Sequence, residues 1–105
     1  MNIAEVFKDR TELDVAQRIL DAVPDEIGKP PYVDARLSGI VPNAYSDQVA
    51  KLPRERRKQF EERMMDYCKR HQIIERLEQA GLIASPASYL GNPLWAKVKT
   101  EESAD

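Results

Sequence analysis

The sequence predicts a mainly α-helical small domain, dominated by one long central helix and closed by a short C-terminal β-hairpin. Three observations carry that prediction. Residues 53–81 read PRERRKQFEERMMDYCKRHQIIERLEQAG, with no Gly or Pro between Pro53 and Gly81 and many good helix formers. Within it Phe60, Met64, Tyr67, His71 and Ile74 follow one another at steps of four and three, the period of a single helix face, and Leu77 continues the row. After Gly81, two short runs, LIASPASYL and PLWAKVKT, flank Gly91 and Asn92 as strands flank a hairpin turn.

The central helix has a marked start and stop. Pro53 suits the first helical position, where a missing N–H costs nothing, and Gly81 suits the left-handed residue after the last turn, with Leu82 packing back on Leu77. Met65, Cys68 and Ile73 widen the apolar seam into a stripe. At ~1.5 Å per residue the rod would be roughly 40 Å long, longer than a domain of this size is wide. The expectation is that a protein partner, most simply a second copy of the chain, covers its apolar side.

Ahead of the rod, Asn2 and Glu5 resemble a capping box, and Ile3, Val6 and Phe7 share one helical face. Thr11 and Asp14 repeat the start signal, and Leu13, Ala16, Ile19, Leu20 and Val23 supply an apolar stripe that ends at Pro24. Asp14 and Arg18 stand four apart in the favourable order for a surface pair. Residues 24–46 carry four prolines and two glycines, which excludes a long helix. Tyr32 to Leu37 alternates like a short strand, and Ile40 with Val41 suggests another; a helical turn over Ser46 to Lys51 leads into Pro53. In the hairpin, Leu94, Ala96 and Val98 alternate with Trp95, Lys97 and Lys99, while Pro86 and Pro93 confine their strands to an edge. Residues 1–100 form one domain on this reading, and the acidic residues 101–105 a flexible tail.

Composition narrows the function. A 12.0 kDa chain with 42% hydrophobic and 32% charged residues is a soluble globular domain rather than a disordered or membrane-spanning one. One cysteine, Cys68, and an N-terminus without a basic region and apolar run fit the cytoplasm. The net charge of −2 is unevenly spread: residues 51–76 hold nine basic against five acidic residues, whereas residues 1–50 hold five against nine. Lys51, Arg54, Arg56, Arg57 and Lys58 form a dense cluster suited to phosphate or to an acidic protein face. Tyr32, Tyr89 and Trp95 are candidate aromatic anchors.

Catalysis and metal binding find little support. Cys68 and His71 lie one helical turn apart, but two side chains are an incomplete ligand set, and both sit on the apolar seam. The acid pairs Asp9 and Glu12, Asp25 and Glu26, and Glu61 and Glu62 are expected to be solvated, since none lies in an apolar stretch that would raise a pKa, and the four glycines are too scattered for a phosphate-binding turn. No enzyme, cofactor, metal or small-molecule substrate is expected.

The segment IIERLEQAGLI followed by a candidate hairpin resembles the last helix and wing of winged helix-turn-helix regulators. That resemblance, which covers about a third of the chain, implies that the helix from His71 to Ala80 would lie in a DNA major groove, with Lys97 and Lys99 of the wing on phosphate. The family has a turn before its recognition helix, and the run from Phe60 to Ile74 carries no turn signal. The leading expectation is therefore a non-enzymatic regulatory or adaptor protein. It would bind a protein partner through the seam Phe60, Met64, Tyr67, His71 and Ile74 and through the Pro-rich segment. The alternative is a nucleic-acid-binding regulator using Lys51, Arg54, Arg56, Arg57, Lys58, Lys97 and Lys99.

Overall fold

Local capping starts the first two helices of the protein, whose computed structural model describes residues 2–98. Asn2 accepts from the Ala4 N–H at 2.9 Å to begin α1 (Ile3–Val6), and Asp9 accepts from the Glu12 N–H at 3.0 Å to begin α2 (Arg10–Ala22). The second cap lies two residues ahead of the expected Thr11, because Asp9 precedes an acid at the third helical position and has the extended backbone a cap needs. Val15, Ala16, Ile19 and Ala22 turn one face of α2 into the core, and the helix stops before Pro24. Arg18 does not pair with Asp14. It reaches across to the Ala44 carbonyl at 3.2 Å and the Asp47 carboxylate at 3.3 Å, tying α2 to the end of the next helix.

That next helix, α3 (Leu37–Ala44), stands where strands were expected. Leu37, Ile40, Val41 and Ala44 are spaced three, four and seven residues from the first, so a helix puts all four on one side, whereas a strand would divide Ile40 from Val41. Pro42 sits inside the helix and costs it a single backbone bond. Gly39 is dictated by proximity: a Cβ there would collide with Asp34. The short α4 (Ser46–Ala50) follows, then α5 (Arg54–Arg70), whose N-cap is Pro53.

The expected rod from 53 to 80 is broken. α5 ends at Arg70, Gln72 adopts the left-handed conformation at φ 53°, and α6 (Ile73–Gln79) begins after it. The reason lies in the apolar pattern. Successive helical residues turn by ~100°, so Ile73, five residues after Cys68, would point about 140° away from it on a continuous helix. Both are buried, as are Ile74 and Leu77, so the backbone changes direction to bring the two faces to one core. α6 then stops as expected, with Gly81 at φ 77°, the Leu82 N–H donating to the Leu77 carbonyl at 3.1 Å and the Gly81 N–H to that of Glu78 at 2.9 Å.

β1 (Ile83–Tyr89) and β2 (Asn92–Lys97) form an antiparallel hairpin with a register irregularity between Ala84 and Ala87, around Pro86. Its two-residue turn is Leu90–Gly91, both with positive φ, one position earlier than Gly91–Asn92. The strict alternation expected of β2 gives way to two consecutive buried residues, Trp95 and Ala96. The outer edge of β2 holds the ends of the segment between α2 and α3: the Lys97 N–H donates to the Pro24 carbonyl and the Trp95 N–H to the Ala35 carbonyl, both at 2.9 Å. Residues 24–35, which include a cis Pro30–Pro31 bond, are thus pinned at both ends, though no strand forms there.

The core is one cluster. Phe7, Ile19, Ile40, Ile73, Leu77 and Ile83 are fully buried in it, with side chains from α2, α3, α5, α6 and the hairpin meeting around them. No helix among the described residues is long and apolar enough to cross a membrane. Cys68 lies in the cluster, and burial pushes its thiol up to about 12. Near pH 8, native protein should therefore react with a chromogenic disulfide reagent on the order of 100-fold more slowly than urea-unfolded protein. Equal rates would show that this side of α5 is open.

Candidate macromolecular interface

The side chains of the expected rod fall into two groups with different fates. From Phe60 onward, the seam is used inside the domain. Ile74 is buried; Phe60, Met64 and Tyr67 are half-buried against the core, and Phe60 meets Tyr45 edge-on with ring centres 5.8 Å apart. Tyr45 is itself buried, and loss of hydration raises its hydroxyl pKa to about 12. The Arg18 guanidinium lies 5.2 Å from the centre of the Tyr45 ring.

His71 stacks on Tyr67 at 4.0 Å, and its Nδ1 lies 2.8 Å from Glu12 Oε2. The same carboxylate oxygen receives Arg76 Nη1 at 3.1 Å. Arg76 also donates to the carbonyls of His71 at 3.3 Å and Val6 at 3.2 Å, and its guanidinium lies 4.3 Å from the centre of the Phe7 ring. Glu12 therefore joins α2 to both sides of the break. Hydrogen bonds from His71 and Arg76 hold its carboxyl below the usual 4.5. Cys68 and His71, the two residues with metal-ligand chemistry on this helix, are thus committed to packing and to Glu12, and no group of three or more His, Cys, Asp or Glu side chains suited to a metal occurs among the described residues.

The first part of α5 has a different role. Residues 53–59 are all exposed. Arg57 donates to the carbonyls of Leu52 at 3.1 Å and Ala50 at 3.4 Å, closing the end of α4, so one member of the expected basic cluster secures the α4–α5 corner. Lys51, Arg54, Arg56 and Lys58 have no acidic side chain within ion-pair distance among the described residues. Arg63 joins them. It stands seven residues after Arg56 and hence on nearly the same side of the helix, about 10.5 Å further along the axis. Between the two lies a surface groove of about 350 Å³, lined by Leu52, Arg56, Gln59, Phe60 and Arg63. The sequence cluster did not include Arg63, although the seven-residue spacing from Arg56 was there to be read.

The remaining expected site residues separate. Lys97 lies 3.9 Å from Asp25, and Lys99 falls outside the described residues, as does the acidic tail 101–105. Trp95 is 8% exposed and belongs to the core, because it carries the packing between β2 and the helices. Tyr32 (72% exposed) and Tyr89 (56%) are open to solvent, as is Leu90 (82%) at the hairpin turn, a residue the sequence reading passed over. β1, the edge left uncovered, carries Pro86 and the irregular register beside it, two features that hinder addition of a foreign strand.

Comparison with protein-family models, with curated proteins and with solved structures finds no match to this chain.

The Glu12 bridge has a pH signature. A carboxyl with a lowered folded pKa adds stability that is complete above its unfolded pKa and is lost as pH falls through the folded value. Glu12→Gln should therefore lower the urea midpoint near neutral pH, with the gap narrowing as pH falls below 4.5 and Glu12 takes up a proton in the folded parent. A gap unchanged across that range would contradict the ionic character of the bridge.

Proposed function

We propose that this is a non-enzymatic adaptor or regulatory domain that binds a protein partner through the exposed first half of α5. The observation that carries the reading is that residues 53–59 are exposed throughout, while in the later part of the same helix one face lies against the domain's own core. A helix that presents unpaired arginines to solvent beside the half-buried Leu52 and Phe60 combines charge with apolar contact, the composition of a binding surface. Homodimerisation through the seam is no longer needed to cover Ile74 or Cys68, since both are buried within one chain.

A second reading, as a nucleic-acid-binding domain of winged-helix type, draws support from one observation. The left-handed Gln72 supplies a turn ahead of α6, and α6 leads directly into the hairpin. Against it, the exposed residues of α6 are Glu75, Glu78 and Gln79, and Arg76 is occupied by Glu12 and two carbonyls, so the helix that should meet DNA presents net negative charge. We favour the protein partner.

Photo-crosslinking tests the choice. A benzoylphenylalanine placed at Arg54 or Lys58, in cells of the native host, should give discrete protein adducts, and one placed at Gln17 on the outer side of α2 should not. Adducts to nucleic acid alone, or the same adducts from all three positions, would overturn the proposal.

A further inference from the structure

The groove between Arg56 and Arg63 has the chemistry of a specific receptor, and we propose that it takes an acidic segment of a protein partner, in which one apolar side chain is flanked by two carboxylates. The inference rests on the partner-binding reading above and names the partner's chemistry. Leu52 and Phe60 line the groove with half-buried apolar surface, which an apolar side chain would cover. Arg56 and Arg63 stand on its two sides, and neither has an acidic partner among the described residues to give up on binding. Gln59, between them, offers an amide that can both donate and accept to the peptide backbone.

The spacing specifies a pattern. In an extended segment, alternate residues share one side and rise ~3.3 Å each, so residues i−2, i and i+2 face the groove together and the outer two are roughly 13 Å apart. The arginine Cα atoms are separated by about 10.5 Å along α5, and their long side chains take up the difference. The pattern is acid-x-apolar-x-acid, with guanidinium–carboxylate pairs at both ends and the apolar residue on Leu52 and Phe60.

A nucleic acid is the competing polyanion. Three observations disfavour it. Glu55, Glu61 and Glu62 interrupt the basic residues of the same helix, the chain as a whole carries a net charge of −2, and the exposed face of α6 is acidic. A long phosphate backbone meets all of these charges, whereas a five-residue peptide meets only the groove.

The probe is a synthetic peptide, Gly-Glu-Ser-Phe-Ser-Glu-Gly, titrated into ¹⁵N-labelled full-length protein, with a duplex DNA dodecamer titrated in parallel. Saturable shifts should centre on Arg56, Gln59, Phe60 and Arg63. Combined Arg56→Ser and Arg63→Ser should weaken binding by at least about tenfold. A peptide with Ser in place of Phe should bind about fivefold or more weakly. Gln59→Glu places a carboxylate in the groove without removing either arginine, and should weaken binding as well should the double variant fail to fold. No saturable shift, shifts elsewhere, indifference to these changes, or tighter DNA binding at the same residues in ~150 mM salt would each overturn the proposal. Loss of peptide binding with protein crosslinks from Arg54 intact would remove this inference alone; loss of the crosslinks would remove the partner-binding reading beneath it.

Discussion

The architecture depends on the change of backbone direction at His71 and Gln72. α5 offers Cys68 to the core, α6 offers Ile73, Ile74 and Leu77, and no straight helix can point both sets the same way. The turn resolves that conflict by placing Gln72 in a backbone region costly for a residue with a Cβ. Arg76 holds the turn through the His71 carbonyl, and Glu12, gripping both His71 and Arg76, locks it to α2. Because Arg76 also reaches the Val6 carbonyl and lies over Phe7, the same cation gathers α1 into the assembly.

α5 is itself divided. From Phe60 onward one face lies against the core, and residues 54–59 ahead of it are exposed, anchored by Arg57 on the end of α4. The opposite end of the domain is organised by β2, which packs Trp95 inward and holds residues 24 and 35 along its outer edge. A segment rich in proline is thus ordered by two backbone hydrogen bonds at its ends, together with Asp34, which receives both the Arg36 backbone N–H and a two-point contact from its guanidinium. Those bonds from Arg36 hold the Asp34 carboxyl below its usual range. The exposed surfaces, the arginine groove and the hairpin turn, are what remains once the small core has used its apolar residues.

Much of the fold was legible in the sequence where a residue type has a single local use. Asn2 ahead of an apolar face, Pro24 after one, and Gly81 followed by Leu82 each mark a helix end, and the structure has a helix end at each. The hairpin was legible from its paired runs, but not the position of its turn, since Gly91 fits either of two adjacent places and Leu90 at positive φ gives no compositional sign. The break at Gln72 was obscured because neither Gly nor Pro marks it. Its trace is a phase shift: Ile73 is out of register with Cys68, and counting it as a widening of the seam concealed the turn. The helix α3 was hidden by Pro42 and Gly39, residues that disfavour helices in general yet here sit where a lost bond is tolerable and a side chain would clash. Of the site, the basic cluster was visible, but the groove was not, because its floor comes from Leu52 before the helix and Phe60 within it.

The central claim is that Gln72 is left-handed and separates two helices. The direct measurement compares the unfolding free energies of Gln72→Gly and Gln72→Ala by urea titration. At a left-handed residue, Ala pays a steric cost that Gly avoids, so the glycine variant should be at least as stable, by up to about 1 kcal/mol. In an unbroken helix the order reverses, and the alanine variant would be more stable by about 1 kcal/mol, which would contradict the account.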